Sequence, residues 1–148
     1  MMNTTFAKTL FGSGAGYAAL VLRVPVGLIL AAHGAQKLFG WFGGYGLEGT
    51  GQYFEGTLGM SPGFFWALLA GVIEFFGGLA LVLGLFTRPA ALAVTIFLAV
   101  ALSTHLPNGF FWTNGGYEYP LLWAVVAFGI FLRGGDGLSL DARLRMPF

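Results

Sequence analysis

The chain has 148 residues, 57% of them hydrophobic and 9% charged, with a formal net charge of +1 at neutral pH. A soluble domain carries roughly 25% charged residues, so a water-facing globule is excluded, as is the basic face that nucleic acid requires. The lack of cysteine removes disulfides, thiolate nucleophiles, Cys-ligated zinc and Cys-bound iron–sulfur clusters.

A helix needs about 20 mostly apolar residues to cross the hydrocarbon core of a bilayer. Four segments meet or approach that length: residues 16–39, 63–86, 89–106 and 119–133. The first is too long for a signal peptide and no small-residue cleavage site follows it, so it is expected to be a retained span. The predicted fold class is all-α, an integral membrane four-helix bundle (up-down-up-down) in one domain over residues 1–148. Gly27, Ala31 and Ala35 on the first span, and Ala91, Thr95, Ala99 and Ser103 on the third, form small-residue ridges expected to pack helices closely.

The connections differ in kind. The first, "GWFGGYGLEGTGQYFEGTLGMSP", is partly apolar and partly acidic from Leu47 to Leu58, which predicts a short interfacial helix in the first outer loop. Its "GYGLEG" matches a dinucleotide fingerprint by letter, but no strand or βαβ unit surrounds it. The second, "FTRPA", is a tight turn with Pro89 where a helix can begin. The third, "LPNGFFWTNGGYEYP", is rich in glycine and aromatics. Trp41, Phe42, Tyr45, Tyr53, Trp112, Tyr117 and Tyr119 are expected to form an aromatic belt at one membrane surface. Lys8, Arg88, Arg133, Arg143 and Arg145 fall at one side of this arrangement, against Lys37, Glu48, Glu55 and Glu118 at the other. The positive-inside rule then places both termini in the cytoplasm.

The informative residues are the ionisable ones in or beside the spans, because charge at bilayer depth is costly and tends to face the interior with a partner. Arg23, His33 and Lys37 are separated by 10 and 4 residues, which places them within a stripe about 80° wide on one helix. His33 is expected about 9 Å below the outer end of its helix, and Glu74 about 18 Å down, near mid-membrane. His105 and Glu118 stand at the outer rim. All four spans thus bring a polar group toward one half of the bundle. Glu74 and His33 are the candidate catalytic residues, exchanging protons with a ligand or hydrogen-bonding its carbonyl. Lys37, Gln36, His105, Glu118, Tyr119 and Trp112 are candidate ligand-binding residues, and Phe75, Phe76, Phe110 and Phe111 candidate walls. Arg23 and Glu74 are expected to form a structural ion pair. No haem, flavin or iron–sulfur signature is found, no spacing motif assigns a metal, and no Ser–His–Asp arrangement can be drawn.

These strings together resemble the DoxX family of small membrane proteins, over roughly residues 18–141. "LRVPVGLILAAHGAQKLFG" is similar to its opening helix, "GLEGTGQYFEGTLGMSP" to its loop helix, and "IEFFGGLALVLGLFTRPAAL" to its second and third helices. "GGYEYPLL" and "LSLDA" are similar to its closing pieces. The resemblance implies a four-helix protein of the cytoplasmic (inner) membrane of a bacterium or archaeon, linked to quinol oxidase or thiosulfate:quinone chemistry.

Three functions are open at this stage. The first is a redox-associated component that binds a quinone in an outward-facing polar recess, with electrons passing to another redox subunit or a second small molecule. The second is a non-catalytic membrane subunit or scaffold for a partner protein. The third is a small-molecule or proton carrier resting on intramembrane Glu74, weakened by only four spans and no clear inverted repeat. The lipid bilayer is the expected environment in each case, and a homo-oligomer is compatible with all three.

Overall fold

A long apolar run gives the first helix, α1 (Ala18–Phe39), in a computed structural model that describes residues 17–145. Residue 16 of the expected first span, and Lys8, lie outside the described residues. Helix α1 stops at Gly40, whose φ of 70° is a left-handed conformation that glycine adopts without a Cβ clash. A single 3₁₀ turn, Trp41–Gly43, leads to α2 (Gly46–Gly56), which overlaps the Leu47–Leu58 segment expected to be an interfacial helix. The second long helix, α3, runs Gly63–Leu83 and contains a π-helical turn at Ile73–Gly77. After a turn through left-handed Gly84, α4 spans Thr87–His105, with Pro89 in its first turn where a missing N–H breaks no helical bond. Helix α5 covers Glu118–Arg133, and a short α6, Leu140–Arg143, closes the described chain.

Every regular element among the described residues is helical. Three helices are long and apolar enough to cross a membrane: α1, α3, and α4 extended by its 3₁₀ turn to Asn108. The apolar α5 is 16 residues long, about 24 Å of helix. Outward-facing large side chains such as Leu28, Phe76, Ile96, Val125 and Leu132 are exposed. That surface needs lipid rather than water around it.

Helices α1 and α3 run antiparallel at very short range because glycines line their seam. A Cβ on Gly27 would meet Gly78 O at 2.5 Å, one on Gly34 would meet Phe75 N at 2.3 Å, and one on Gly71 would meet Leu38 Cδ2 at 2.7 Å. Close backbone approach of this type holds helices together where lipid competes for every apolar contact. Helices α4 and α5 form a second antiparallel pair, and Val26, Leu30, Leu81, Ala91, Val94, Leu98, Ala127 and Ile130 fill the core between the pairs. The first expected ridge is buried at Gly27, Ala31 and Ala35. The second is buried only at Ala91, with Thr95 half-buried and Ala99 and Ser103 exposed. The expectation that this ridge packs helices closely is therefore corrected: it leaves the packed face of α4 beyond Thr95.

Charged side chains from distant segments cap the helices of the α3–α4 hairpin. At the start of α3, Glu55 of α2 accepts the Gly63 N–H at 2.9 Å and the Ser61 hydroxyl at 3.2 Å. At the start of α4, Asp141 accepts the N–H groups of Phe86 at 2.7 Å and Thr87 at 2.8 Å, while its own N–H donates to Gly84 O. A carboxylate there satisfies donors that a helix N-terminus leaves free and suits the positive end of its dipole. At the end of α3, Arg23 donates to Leu81 O, Val82 O and Leu138 O. One guanidinium thus fastens α1, the last turn of α3 and the chain leading into α6.

Candidate functional site

The expected Arg23–Glu74 ion pair does not form. Arg23 is fully buried at the end of the α1–α3 seam beside the Gly84 turn, with the carbonyls of α3 and Leu138 as partners. In the antiparallel seam, Leu81 and Val82 face Arg23. Glu74 lies seven residues earlier than Leu81, about 10 Å along the helix axis. The partner of Glu74 is Lys37, whose Nζ stands 2.7 Å from Oε2. The contact is an ion pair at hydrogen-bonding distance between opposite charges.

This pair is built by three local features. Gly34 and Gly71 bring the helices close enough for Lys37 to cross the seam, with Gly71 pressed against Leu38 and close to the Lys37 Cβ. The π turn Ile73–Gly77 carries Glu74 and widens one turn of α3 there. Such turns are rare and often occur at functional sites. The two charges are also unequally covered, with side-chain exposure of 20% for Lys37 and 7% for Glu74. Burying two ions is costly unless they pair, so each side chain depends on the other.

His33 does not face inward. Residues of α1 at about 100° intervals place it some 60° from Leu30, just past the margin of the buried face formed by Arg23, Val26, Leu30 and Gly34. Its side is exposed. The expected stripe of Arg23, His33 and Lys37 is therefore split, with one residue buried, one half-buried and one open.

Gln36 turns to the loop, its Nε2 donating to Phe42 O at 3.4 Å, and Gly44 packs against the Gln36 backbone, where a Cβ would meet Gln36 O at 2.5 Å. Aromatic rings continue this cover. Phe39 lies 5.0 Å from Trp41 and 5.2 Å from Phe75, centroid to centroid, in tilted and edge-on contacts. Sequence reading named Phe75 as a wall but missed Phe39 and the glycines Gly34 and Gly71. The small residues every few positions along both helices were the available signal.

The remaining candidates lie at or between the facing ends of α4 and α5. His105 Nδ1 donates to Gly115 O at 2.9 Å, which fixes the proton on that nitrogen since a carbonyl can only accept. Asn108 donates to the same oxygen at 3.1 Å. Trp112 stacks on Tyr119 with centroids 5.5 Å apart and planes 16° from parallel. Glu118 is half-buried in the first turn of α5, its N–H donating to Phe110 O at 3.0 Å. These residues tie their own loop together. Among the described residues, His33, Glu74, His105 and Glu118 do not gather as a group of three or more, so the expected convergence extends to one end of the molecule and not to one cluster.

Comparison with known proteins agrees with this architecture. Residues 18–107 match the family model described as DoxX. The chain is 33% identical over 122 residues to a protein of Bacillus subtilis (strain 168) named "Putative oxidoreductase CatD", covering 82% of this chain and 83% of that protein. It is 31% identical over 142 residues to "Inner membrane protein YphA" of Escherichia coli (strain K12), covering 90% and 94%. No solved structure matches the chain. The helical, lipid-exposed architecture and the matched stretch through α1, α3 and α4 lead to one conclusion: this chain is a multi-pass membrane protein that belongs to the DoxX family.

Proposed function

We propose that this protein is a redox-associated component of the bacterial or archaeal inner membrane that binds a quinone, or a similar small apolar ring compound, beside the Lys37–Glu74 pair. The buried pair on the π turn carries the proposal. An ionisable residue within the membrane is a functional-site hypothesis by default, and a cation beside a carboxylate suits a ring whose oxygens gain and lose protons and negative charge. The name of the Bacillus subtilis relative supports redox chemistry, and that of the Escherichia coli relative supports the inner membrane. Electrons come from or pass to another redox subunit, since the described side chains carry protons and charge but no electron store.

The proposed topology is a four-helix bundle running up-down-up-down, with α1, α3, α4 and α5 as spans and both termini in the cytoplasm. Arg88 is in the first turn of α4, Arg133 ends α5, and Arg143 and Arg145 follow it, and the positive-inside rule assigns that end to the cytoplasm. The Lys37–Glu74 site, the aromatic loops and α2 then lie toward the outer leaflet.

A second reading, a non-catalytic membrane subunit or scaffold, is favoured by one observation: Lys37 and Glu74 already satisfy each other's charge without a ligand. Organic extraction of the purified protein followed by mass spectrometry separates the two. The quinone reading expects a stoichiometric quinone that is lost from Glu74→Gln while the variant still folds. If none copurifies and Glu74→Gln keeps its partners, the scaffold reading stands and the quinone reading is dropped.

A further inference from the structure

We infer that His33 is the bilayer-side mouth of the Lys37–Glu74 site, so that its ligand enters sideways from the lipid and not from water through the loops. The inference rests on the ligand-binding reading above and adds the route. From α1 across to α3, exposure falls in order: His33 is open, the Lys37 side chain is 20% exposed and that of Glu74 on α3 is 7%. These three groups form a polar path from the helix surface to the buried carboxylate.

The path begins at membrane depth. His33 lies six residues before the end of α1 at Phe39, about 9 Å along the helix axis. Ile29, one turn further in on the same side, is 40% exposed. An imidazole beside such an apolar surface faces hydrocarbon, and the Gln36 side chain is its hydrogen-bond partner on one ring nitrogen. A bilayer-dissolved ring compound bearing carbonyl or hydroxyl oxygens meets the other nitrogen first on its way to the pair.

Over the other side of the site, access is covered. Gln36 is bonded to Phe42 O, Gly44 is packed onto the Gln36 backbone, and the Trp41–Phe39–Phe75 rings run from the loop onto α3. Two left-handed positions, Gly40 and Phe42, shape this cover, with φ values of 70° and 54°. Residues that would have to part for entry from water are therefore joined to each other, while the His33 side of α1 stays open.

Single-cysteine variants of the full chain, which has no cysteine of its own, test the route in lipid vesicles. A nitroxide on His33→Cys is expected to collide more with molecular oxygen, which partitions into the bilayer, than with a water-soluble nickel chelate. The same label on Tyr45→Cys, at a position 85% exposed on the loop, should show the reverse. A label on Ile29→Cys is expected to lose mobility when decyl-ubiquinone is added, and to lose that response when His33→Leu is introduced. A His33 label that favours the nickel chelate overturns the mouth, as does an Ile29 response that survives His33→Leu. An Ile29 label that never responds to the quinone overturns it too. Extraction of the same preparation then shows whether only the route falls, with quinone present, or quinone binding with it.

Discussion

Asp141 reaches back to the first turn of α4, where its carboxylate accepts the Thr87 N–H at 2.8 Å and that of Phe86 at 2.7 Å. Asp141 is itself buried, so these bonds replace water at a helix start that lacks a side-chain cap of its own. Removing a capping side chain costs about 0.5–2 kcal/mol. Asp141→Ala is expected to lose about 2 kcal/mol, at the upper end of that range, because two N–H groups lose their acceptor. Asp141→Asn, which keeps one carbonyl oxygen, should lose less. The midpoint of thermal unfolding in detergent micelles reads both, and equal midpoints for wild type and Asp141→Ala would refute the cap.

Arg23 serves the same hairpin with the opposite charge. Its guanidinium satisfies Leu81 O, Val82 O and Leu138 O at once. A lysine has a point charge and cannot present this planar fork. Arg23→Lys is therefore expected to be destabilising by about 2–3 kcal/mol, the scale of charge-assisted hydrogen bonds. The same unfolding assay checks this, and protease cleavage after residue 134 should become faster as Leu138 is released.

The Lys37–Glu74 pair makes a prediction about coupling. Lys37→Met leaves a buried carboxylate alone, and Glu74→Gln leaves a half-buried ammonium alone; each such break costs about 3–5 kcal/mol when fully buried. Lys37 retains some solvent access, so Glu74→Gln should be the milder change. The double variant is expected to lose less than the sum of the two, with a coupling energy of about 1–3 kcal/mol. Additive losses would show that the residues do not act as a pair.

The glycine seam predicts opposite signs for one substitution at two places. Gly34→Ala would place a Cβ 2.3 Å from Phe75 N, a contact made by backbone that no rotamer can relieve. It should separate α1 from α3 and cost about 1–3 kcal/mol or more. Gly129→Ala in α5 meets nothing within 4 Å and should stabilise by up to about 1 kcal/mol through helix propensity. Unfolding midpoints of the two variants should therefore move in opposite directions.

Helices were legible in the sequence because their signals are local. The observed α1, α3, α4 and α5 fall within a few residues of the expected spans, and α2 overlaps the Leu47–Leu58 segment, starting one residue earlier. Relative depth was not legible: Glu74, expected about 18 Å down, meets Lys37 near the end of α1, because α3 begins beyond that end and brings Gly71 level with Leu38. The π turn at Ile73–Gly77 was not, because nothing in "IEFFG" distinguishes it from an ordinary helical turn. His33 was misassigned because a stripe about 80° wide does not say where the buried face ends. That boundary is set by the neighbours of Leu30 and Gly34, which come from α3 and beyond.

Composition and apolar run lengths by themselves determined an all-helical membrane chain, its segments, and the small set of ionisable residues that had to find partners. Their pairing was decided only by tertiary structure. Arg23 and Lys37 are both candidates for Glu74 on one helix face, and the antiparallel register of α1 against α3 alone selects Lys37. It sends Arg23 to the carbonyls at the end of α3. That register is fixed by where backbone can touch backbone, at Gly27, Gly34 and Gly78, and where Leu38 packs onto Gly71. Such contacts are a property of two segments together, which neither segment encodes alone.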